Sequence, residues 1–94
     1  MDCDNNKIHF ANNGTYTNSS NPVNNTNGFT MVDDYVYFAH ASNAGNKTYK
    51  VNLGGYTTDT PSSAASDANG YGTFEYAPPT GYYALCTKNL AEYG

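Results

Sequence analysis

Tryptophan and arginine are absent from this sequence of 94 residues, and its four lysines face eight acidic residues. A surface that neutralises nucleic-acid phosphates needs clustered Lys and Arg, so nucleic acid is not an expected partner. No apolar run approaches the roughly 18–20 residues needed to cross a bilayer, and membrane insertion is not expected. Met1-Asp2-Cys3-Asp4 offers neither the positive n-region nor the apolar h-region of a secretory signal. Export is therefore expected by another route, such as cell lysis or carriage within a larger assembly. Large apolar residues are also scarce. Leu, Ile, Val and Phe together number twelve, about 13% of the chain and below the roughly 20% that usually marks disorder. Disorder also calls for high net charge and few aromatics. Charged residues are only 13% here, the net charge is -4, and there are ten Tyr. What is present is polar, uncharged and aromatic, rich in Asn, Thr, Gly and Tyr, as in a folded and exposed β protein of one small domain.

Cysteine is equally sparse. Cys3 and Cys86 lie near opposite ends, and a disulfide between them would contribute about 4–5 kcal/mol in the chain-entropy model. Two cysteines make no disulfide framework, and their spacing is not that of a metal site. Two buried free thiols, each packed as a small hydrophobe, are the favoured reading.

Helix signals are poor throughout, and little or no helix is expected. Strand signals are better. Lys7 to Ala11 alternates, with Ile8 and Phe10 on one face and Lys7 and His9 on the other. Asn12-Asn13-Gly14 follows, and Asn-Gly suits a tight hairpin turn into a short return strand, Thr15-Tyr16-Thr17. Asn18 to Asn27 reads as a polar loop. Phe29 to Val32 packs or begins a strand. Asp34 to Ala41 carries aromatic and β-branched residues on both faces, which predicts a central strand covered on two sides. Thr48 to Leu53 alternates again, with Tyr49, Val51 and Leu53 on one side. Thr57 to Gly72, about sixteen residues, exceeds the usual connection length and reads as a binding or mobile loop. Thr73-Phe74-Glu75-Tyr76 reads as a last strand, and Pro78-Pro79-Thr80-Gly81 as a turn. No internal repeat or linker stands out, so residues 1–94 are expected to form a single all-β, antiparallel domain. Its apolar residues, Ile8, Phe10, Val36, Phe38, Val51, Leu53 and Phe74, are expected to concentrate in the strands as a small core.

Three segments carry a family resemblance. Asp2 to Phe10 followed by Asn13-Gly14-Thr15-Tyr16 resembles a hairpin of SPRY-like β-sandwiches. Val51-Asn52-Leu53-Gly54 resembles that family's later Asn-Phe-Gly strand. The most specific is Gly72 to Leu90, with its Pro-Pro-x-Gly turn, aromatic residues, Ala84-Leu85-Cys86-Thr87 and Asn89-Leu90. This stretch closely resembles the C-terminal end of SPRY-like domains in structural proteins of tailed phages. The resemblance implies an antiparallel β-sandwich of SPRY-like, concanavalin-like type. A whole domain of that type is roughly twice this length, so it also implies a half-sandwich whose open edges seek partner strands. The function implied is a non-enzymatic virion structural or adhesion module: a tail fibre, spike or capsid-surface decoration. Its implied partners are other virion proteins, further copies of itself and host-surface glycans. It would assemble in the bacterial host cytoplasm and be found on the virion surface after lysis. A secreted bacterial carbohydrate-binding or fibril-forming protein is the alternative.

Other constellations are weaker. Asp2-x-Asp4-x-Asn6 begins like a calcium loop, but Lys7 stands where the sharp turn needs Gly, and Asn13 stands where the loop needs Glu. An Asx-rich turn is the favoured reading of Asp2, Asp4 and Asn6, and no cofactor or metal is expected. His9 is expected to be exposed and His40 half-buried, too isolated to form a metal site. No Ser or Thr sits in a nucleophile elbow. Asp33-Asp34 would point to opposite faces of a strand, unlike the convergent pair of a glycosidase. No catalysis is expected. The four sequons at Asn13, Asn18, Asn24 and Asn46 are read as chance in an Asn-rich chain.

The Tyr set remains. Most Tyr are expected to substitute for Leu in a small core with the hydroxyl at the surface. Tyr also offers rigid contact area with a polar tip, suited to recognition. The expected ligand-binding residues are Tyr16, Asn18, Tyr56 and Tyr71, with rings for sugar stacking and amides for hydroxyls.

Overall fold

A computed structural model describes residues 1–32, 36, 37, 39, 41, 43, 45–54 and 61–93. Its regular structure is mainly β, in small antiparallel pairs, with little helix. The chain divides into two compact units, Met1–Lys47 and Thr48–Gly94.

The first unit is built from asparagine turns. Lys7–Ile8 (β1) pairs antiparallel with Phe29–Thr30 (β4) in the register Lys7 to Thr30 and Ile8 to Phe29. Met31 N–H extends the pairing by donating to the Asn6 carbonyl at 2.9 Å. Lys7 Nζ donates to Thr30 Oγ1 at 2.7 Å across the same pair. Ala11–Asn12 (β2) pairs with Thr15–Tyr16 (β3), with Ala11 opposite Tyr16 and Asn12 opposite Thr15. The two residues between them, Asn13 (φ 48°) and Gly14 (φ 76°), both take the left-handed conformation of a two-residue hairpin turn. The expected hairpin is present. The expected continuous strand from Lys7 to Ala11 is not: the chain changes partner at His9-Phe10, so β1 and β2 belong to different sheets.

Asn6, Asn13, Asn18, Asn25 and Asn27 all have φ between 48° and 58°. Asn tolerates this region because its short side chain bonds locally to the backbone. Much of the asparagine in the first unit thus serves as turn chemistry. Two of these turns repeat one another. Asp2 bridges Lys7, and Asn21 bridges Thr26, each pair closing a four-residue turn through two backbone hydrogen bonds. Asn5-Asn6 and Asn24-Asn25 occupy equivalent places, and Phe10 and Phe29 follow at the same distance. Those two rings meet edge to face, 5.7 Å between centroids. An internal repeat therefore exists where none was expected from sequence. The polar loop from Asn18 to Asn27 contains one of its copies, with Ser20 and Pro22 buried.

Among its described residues the second unit holds an isolated bridge between Ala65 and Phe74 and one helix, Thr87–Tyr93 (α1). The Pro-Pro-x-Gly turn is present: Tyr82 N–H donates to the Pro79 carbonyl at 2.9 Å, and Gly81 has φ 86°. That is the positive φ a type II turn requires at its third residue. One short helix accords with the expectation of little helix, although helix signals in the sequence are poor. Thr87 to Tyr93 contains neither Gly nor Pro, and Leu90 N–H closes the first turn onto the Cys86 carbonyl at 2.9 Å.

The expected small apolar core is overturned as well. Ala84, 4% exposed, is the sole buried hydrophobic residue among those described. Phe10, Val36, Val51 and Leu53 are exposed, while Ile8 and Phe74 are half-buried. Phe38 lies outside the described residues. Thr48 to Leu53 forms no strand, and Tyr49, Val51 and Leu53 are exposed rather than gathered on a covered face. Of the expected central strand, Asp34, Tyr35, Phe38 and His40 lie outside the described residues. Val36 and Tyr37 are described, belong to no strand, and are exposed, Tyr37 by 85%. Alternation supplies a face that can be buried, but burial needs a second layer to cover it. Thr73 to Tyr76 is reduced to the single bridge at Phe74.

Candidate functional site

The best-defined polar centre lies in the second unit, around Asp67. The segment begins as a turn: Gly70 N–H donates to the Asp67 carbonyl at 3.0 Å, and Asp67 N–H to the Tyr71 carbonyl at 2.9 Å. The Asp67 side chain folds back over that turn. Its Oδ1 accepts the backbone N–H of Asn69 at 3.0 Å and of Tyr71 at 2.8 Å. Its Oδ2 accepts Ala84 N–H at 2.9 Å and Asn89 Nδ2 at 2.7 Å. Asn89 also donates to the Ala84 carbonyl at 2.8 Å and accepts from Asn69 Nδ2 at 2.9 Å. Asp67 and Asn89 are buried. Burial alone would raise the Asp67 carboxyl. Hydrogen bonds from Ala84, Tyr71, Asn89 and Asn69 outweigh it and hold the pKa below its ordinary value.

An ionised carboxylate has about four lone-pair positions, and four donors occupy those of Asp67. It has no acceptor left to take a proton from a substrate, so its role is architectural. It ties the turn 67–71, the segment at Ala84 and helix α1 to a single anion. Glu75 is engaged too. Ser62 donates to it from both its backbone N–H and its hydroxyl, and these two bonds lower the Glu75 pKa.

Two of the segments that carry the family resemblance meet beside this centre. Gly54 is buried with φ 97°, and a Cβ placed on it would come within 2.6 Å of Phe74 Cζ and 2.7 Å of Ala84 Cβ. Asn52 fixes the approach: its Oδ1 accepts Gly54 N–H at 2.8 Å, and its Nδ2 donates to the Thr73 carbonyl at 2.6 Å.

No family model matches this chain, and neither do any curated protein or solved structure. Its chemistry has to be read from its own residues.

The expected ligand residues fall as follows. Tyr16 is half-buried on β3, paired with Ala11, and burial raises its phenol pKa. Asn18 is exposed in the short 3-10 turn Thr17–Ser19 and donates to the Asn27 carbonyl at 3.4 Å. Both belong to the first unit. Tyr71 belongs to the second. It is half-buried, its N–H is held by Asp67, and Lys88 Nζ stands 5.0 Å from its ring centroid. Tyr56 lies outside the described residues. Tyr16 thus stands on the expected return strand of the hairpin.

At Asp2, Oδ1 accepts Asn5 N–H at 3.0 Å and Oδ2 accepts Asn5 Nδ2 at 2.9 Å. Both oxygens serve the turn. Asp4 is exposed, and Asn6 supplies a left-handed backbone position. Among the described residues no group of three His, Cys, Asp or Glu gathers as metal ligands would. His9 is half-buried, against expectation. Its ring lies over Gly28, and its Nε2 meets Asn25 Oδ1 at 3.3 Å. The strand ends at Ile8, so the alternation that would expose His9 no longer applies. His40, Asp33 and Asp34 lie outside the described residues. Both cysteines are free thiols, but Cys3 is exposed and Cys86 half-buried, so the expectation that both are buried fails.

Asp67 escapes the sequence reading because it stands inside a stretch of small polar residues read as a long loop. Asp67-Ala68-Asn69-Gly70 is nonetheless an Asx-turn signal, with Asp opening the turn and Asn-Gly closing it.

Proposed function

We propose that this chain is a non-enzymatic structural and adhesion module of a tailed-phage virion, carrying part of a SPRY-like antiparallel β-sandwich. The carrying observation is how the most specific resemblance segment is used. Within Gly72 to Leu90, Phe74 and Ala84 pack against Gly54, and Ala84 and Asn89 are held by Asp67. The motif residues are packing and hydrogen-bonding residues, as expected of a structural signature. Four internal donors fill the Asp67 carboxylate, and both Glu75 oxygens accept from Ser62, which favours a structural use of these groups.

Exposed Val51, Leu53, Tyr76 and Leu85 supply apolar area for neighbouring virion proteins or further copies of the chain. Tyr16, Asn18, Tyr56 and Tyr71 are the proposed contacts to host-surface glycans. Each contact would be weak, and many copies on one particle would raise the avidity.

Immunogold labelling of purified phage particles with antibodies against this chain tests the proposal. Regular decoration of tail or capsid is expected. Label confined to cell-derived or fibrous material would overturn it in favour of the secreted bacterial alternative. Turnover of a host polysaccharide by the purified chain would overturn the non-enzymatic part.

A further inference from the structure

Asn-Gly occurs three times in the chain, at Asn13-Gly14, Asn27-Gly28 and Asn69-Gly70. The dipeptide is chemically labile, because a glycine offers little obstruction to its own nitrogen. In the reaction the backbone nitrogen of Gly loses its proton and attacks the Asn side-chain carbonyl carbon. A C–N bond forms, the Cγ–Nδ2 bond breaks, and the amide leaves as ammonia with that proton. Water then opens the succinimide at either carbonyl, giving aspartate or a β-linked isoaspartate. One water is consumed, one ammonia is released, and nothing is oxidised or reduced. The reaction needs a side-chain amide and a following nitrogen that are both free to move.

The structure treats the three sites differently. Asn69 is held at both ends. Its Nδ2 donates to Asn89 at 2.9 Å, its N–H donates to Asp67, and Gly70 N–H donates to the Asp67 carbonyl at 3.0 Å. Asn27 Nδ2 donates to the Ser19 carbonyl at 3.4 Å, and Gly28 is packed so closely under the His9 ring that a Cβ would lie 2.6 Å from it. Asn13 and Gly14 are both exposed, and among the described residues no side-chain hydrogen bond holds the Asn13 amide. They form the tip of a short hairpin of two residue pairs, Ala11 with Tyr16 and Asn12 with Thr15, closed at its base by Thr17 N–H and hydroxyl donating to the Phe10 carbonyl at 2.9 and 3.2 Å. So short a pair opens at low cost, releasing Asn13 from its left-handed conformation.

We propose that Asn13-Gly14 is the chain's site of spontaneous deamidation and backbone isomerisation. Asn69-Gly70 and Asn27-Gly28 are protected by their own hydrogen bonds and packing. The isoaspartyl product adds a methylene to the main chain of a two-residue turn and so unseats the register of β2 and β3. Either product also adds one negative charge.

The test is to age the full chain in mildly alkaline buffer. Conversion at each Asn-Gly is followed by peptide mapping, and isoaspartate by methyl transfer from an isoaspartyl methyltransferase. In the native chain, conversion at Asn13 is expected to exceed that at Asn69 by on the order of tenfold or more; in denaturant the three sites converge, because the protection is structural. Gly14→Ala is expected to suppress the native reaction, and Asn89→Ala to raise conversion at Asn69 alone. Native conversion at Asn69 or Asn27 as fast as at Asn13 would overturn the assignment. So would differences among the three sites that persist unchanged in denaturant.

Discussion

Asn89 donates its side-chain N–H to Asp67 Oδ2 at 2.7 Å, joining residues 22 positions apart in the chain. Both are buried, in a unit where Ala84 is the sole buried hydrophobic residue among those described. Order there comes from a shared anion. Asn89→Leu removes the donor to Asp67 and the acceptor for Asn69 together, leaving buried polar groups unpaired at about 1–3 kcal/mol. Urea unfolding at neutral pH should show the loss as a lowered midpoint.

The same carboxylate sets an acid limit. The Asp67 pKa is lower in the folded chain than its ordinary value, because four hydrogen bonds outweigh the effect of burial. The folded state therefore binds this proton less readily than the unfolded one. The stabilisation is complete above the ordinary carboxylate pKa of about 4 and is lost as the pH falls through the lower folded value. Glu75, lowered by its bonds from Ser62, acts in the same direction. Urea midpoints stepped from neutrality into acid should hold steady and then fall. Asp67→Asn should flatten the fall to the part Glu75 and other carboxylates retain, and should lower stability at neutral pH.

Gly54 tolerates no side chain. A Cβ would press on the Phe74 ring and the Ala84 methyl, and φ is 97°. Gly54→Ala is expected to destabilise by about 1–3 kcal/mol from overpacking alone, with backbone strain added. Thermal unfolding checks the direction. Gly45→Ala serves as a comparison, since its φ is also positive while nothing lies within 4 Å of its Cβ position.

Gly28 and His9 form a second tight pair. Gly28→Ala drives a Cβ to 2.6 Å from the imidazole. His9→Ala should relieve that clash, so the double variant should be more stable than the sum of the two singles predicts. The coupling expected for residues in contact is about 0.5–3 kcal/mol. Denaturant midpoints of the four proteins complete the cycle, and strictly additive effects would contradict the contact.

Phe10 and Phe29 should be energetically reciprocal. Each ring is about half exposed, and their edge-to-face contact is 5.7 Å between centroids. Truncating either to Ala should remove the same pair term, about 0.5–1.5 kcal/mol. A second truncation should then cost correspondingly less than the first.

Local turn chemistry was legible in the sequence, and burial was not. Asn13-Gly14 and Pro79-Thr80-Gly81 carry their turn types in their residues, and both turns are present. Phe29 and Thr30 do start a strand. Tyr49, Val51 and Leu53 alternate as well as any strand, yet they stay exposed, because alternation does not say whether a second layer covers the face. Asn6 and Asn13 read as turn residues, whereas Asn18 to Asn27 read as polar loop, with Asn18 as a sugar contact. At Asn6, Asn13, Asn18, Asn25 and Asn27 the backbone uses them for left-handed positions. Asp67 was hidden because its partners at Ala84 and Asn89 lie far along the chain, and composition does not reveal which carboxylate they surround. Of the four expected contact residues, Tyr16 and Asn18 stand in one unit and Tyr71 in the other.

The polar centre at Asp67 also sets how the second unit responds to heat and cold. The heat capacity of unfolding rises with newly wetted apolar surface, about 0.45 cal/K/mol per Å², and falls with polar surface. A unit organised around a carboxylate and amides uncovers little of the former and comparatively much of the latter. Its stability curve should be shallow, with no strong optimum temperature and little weakening on chilling.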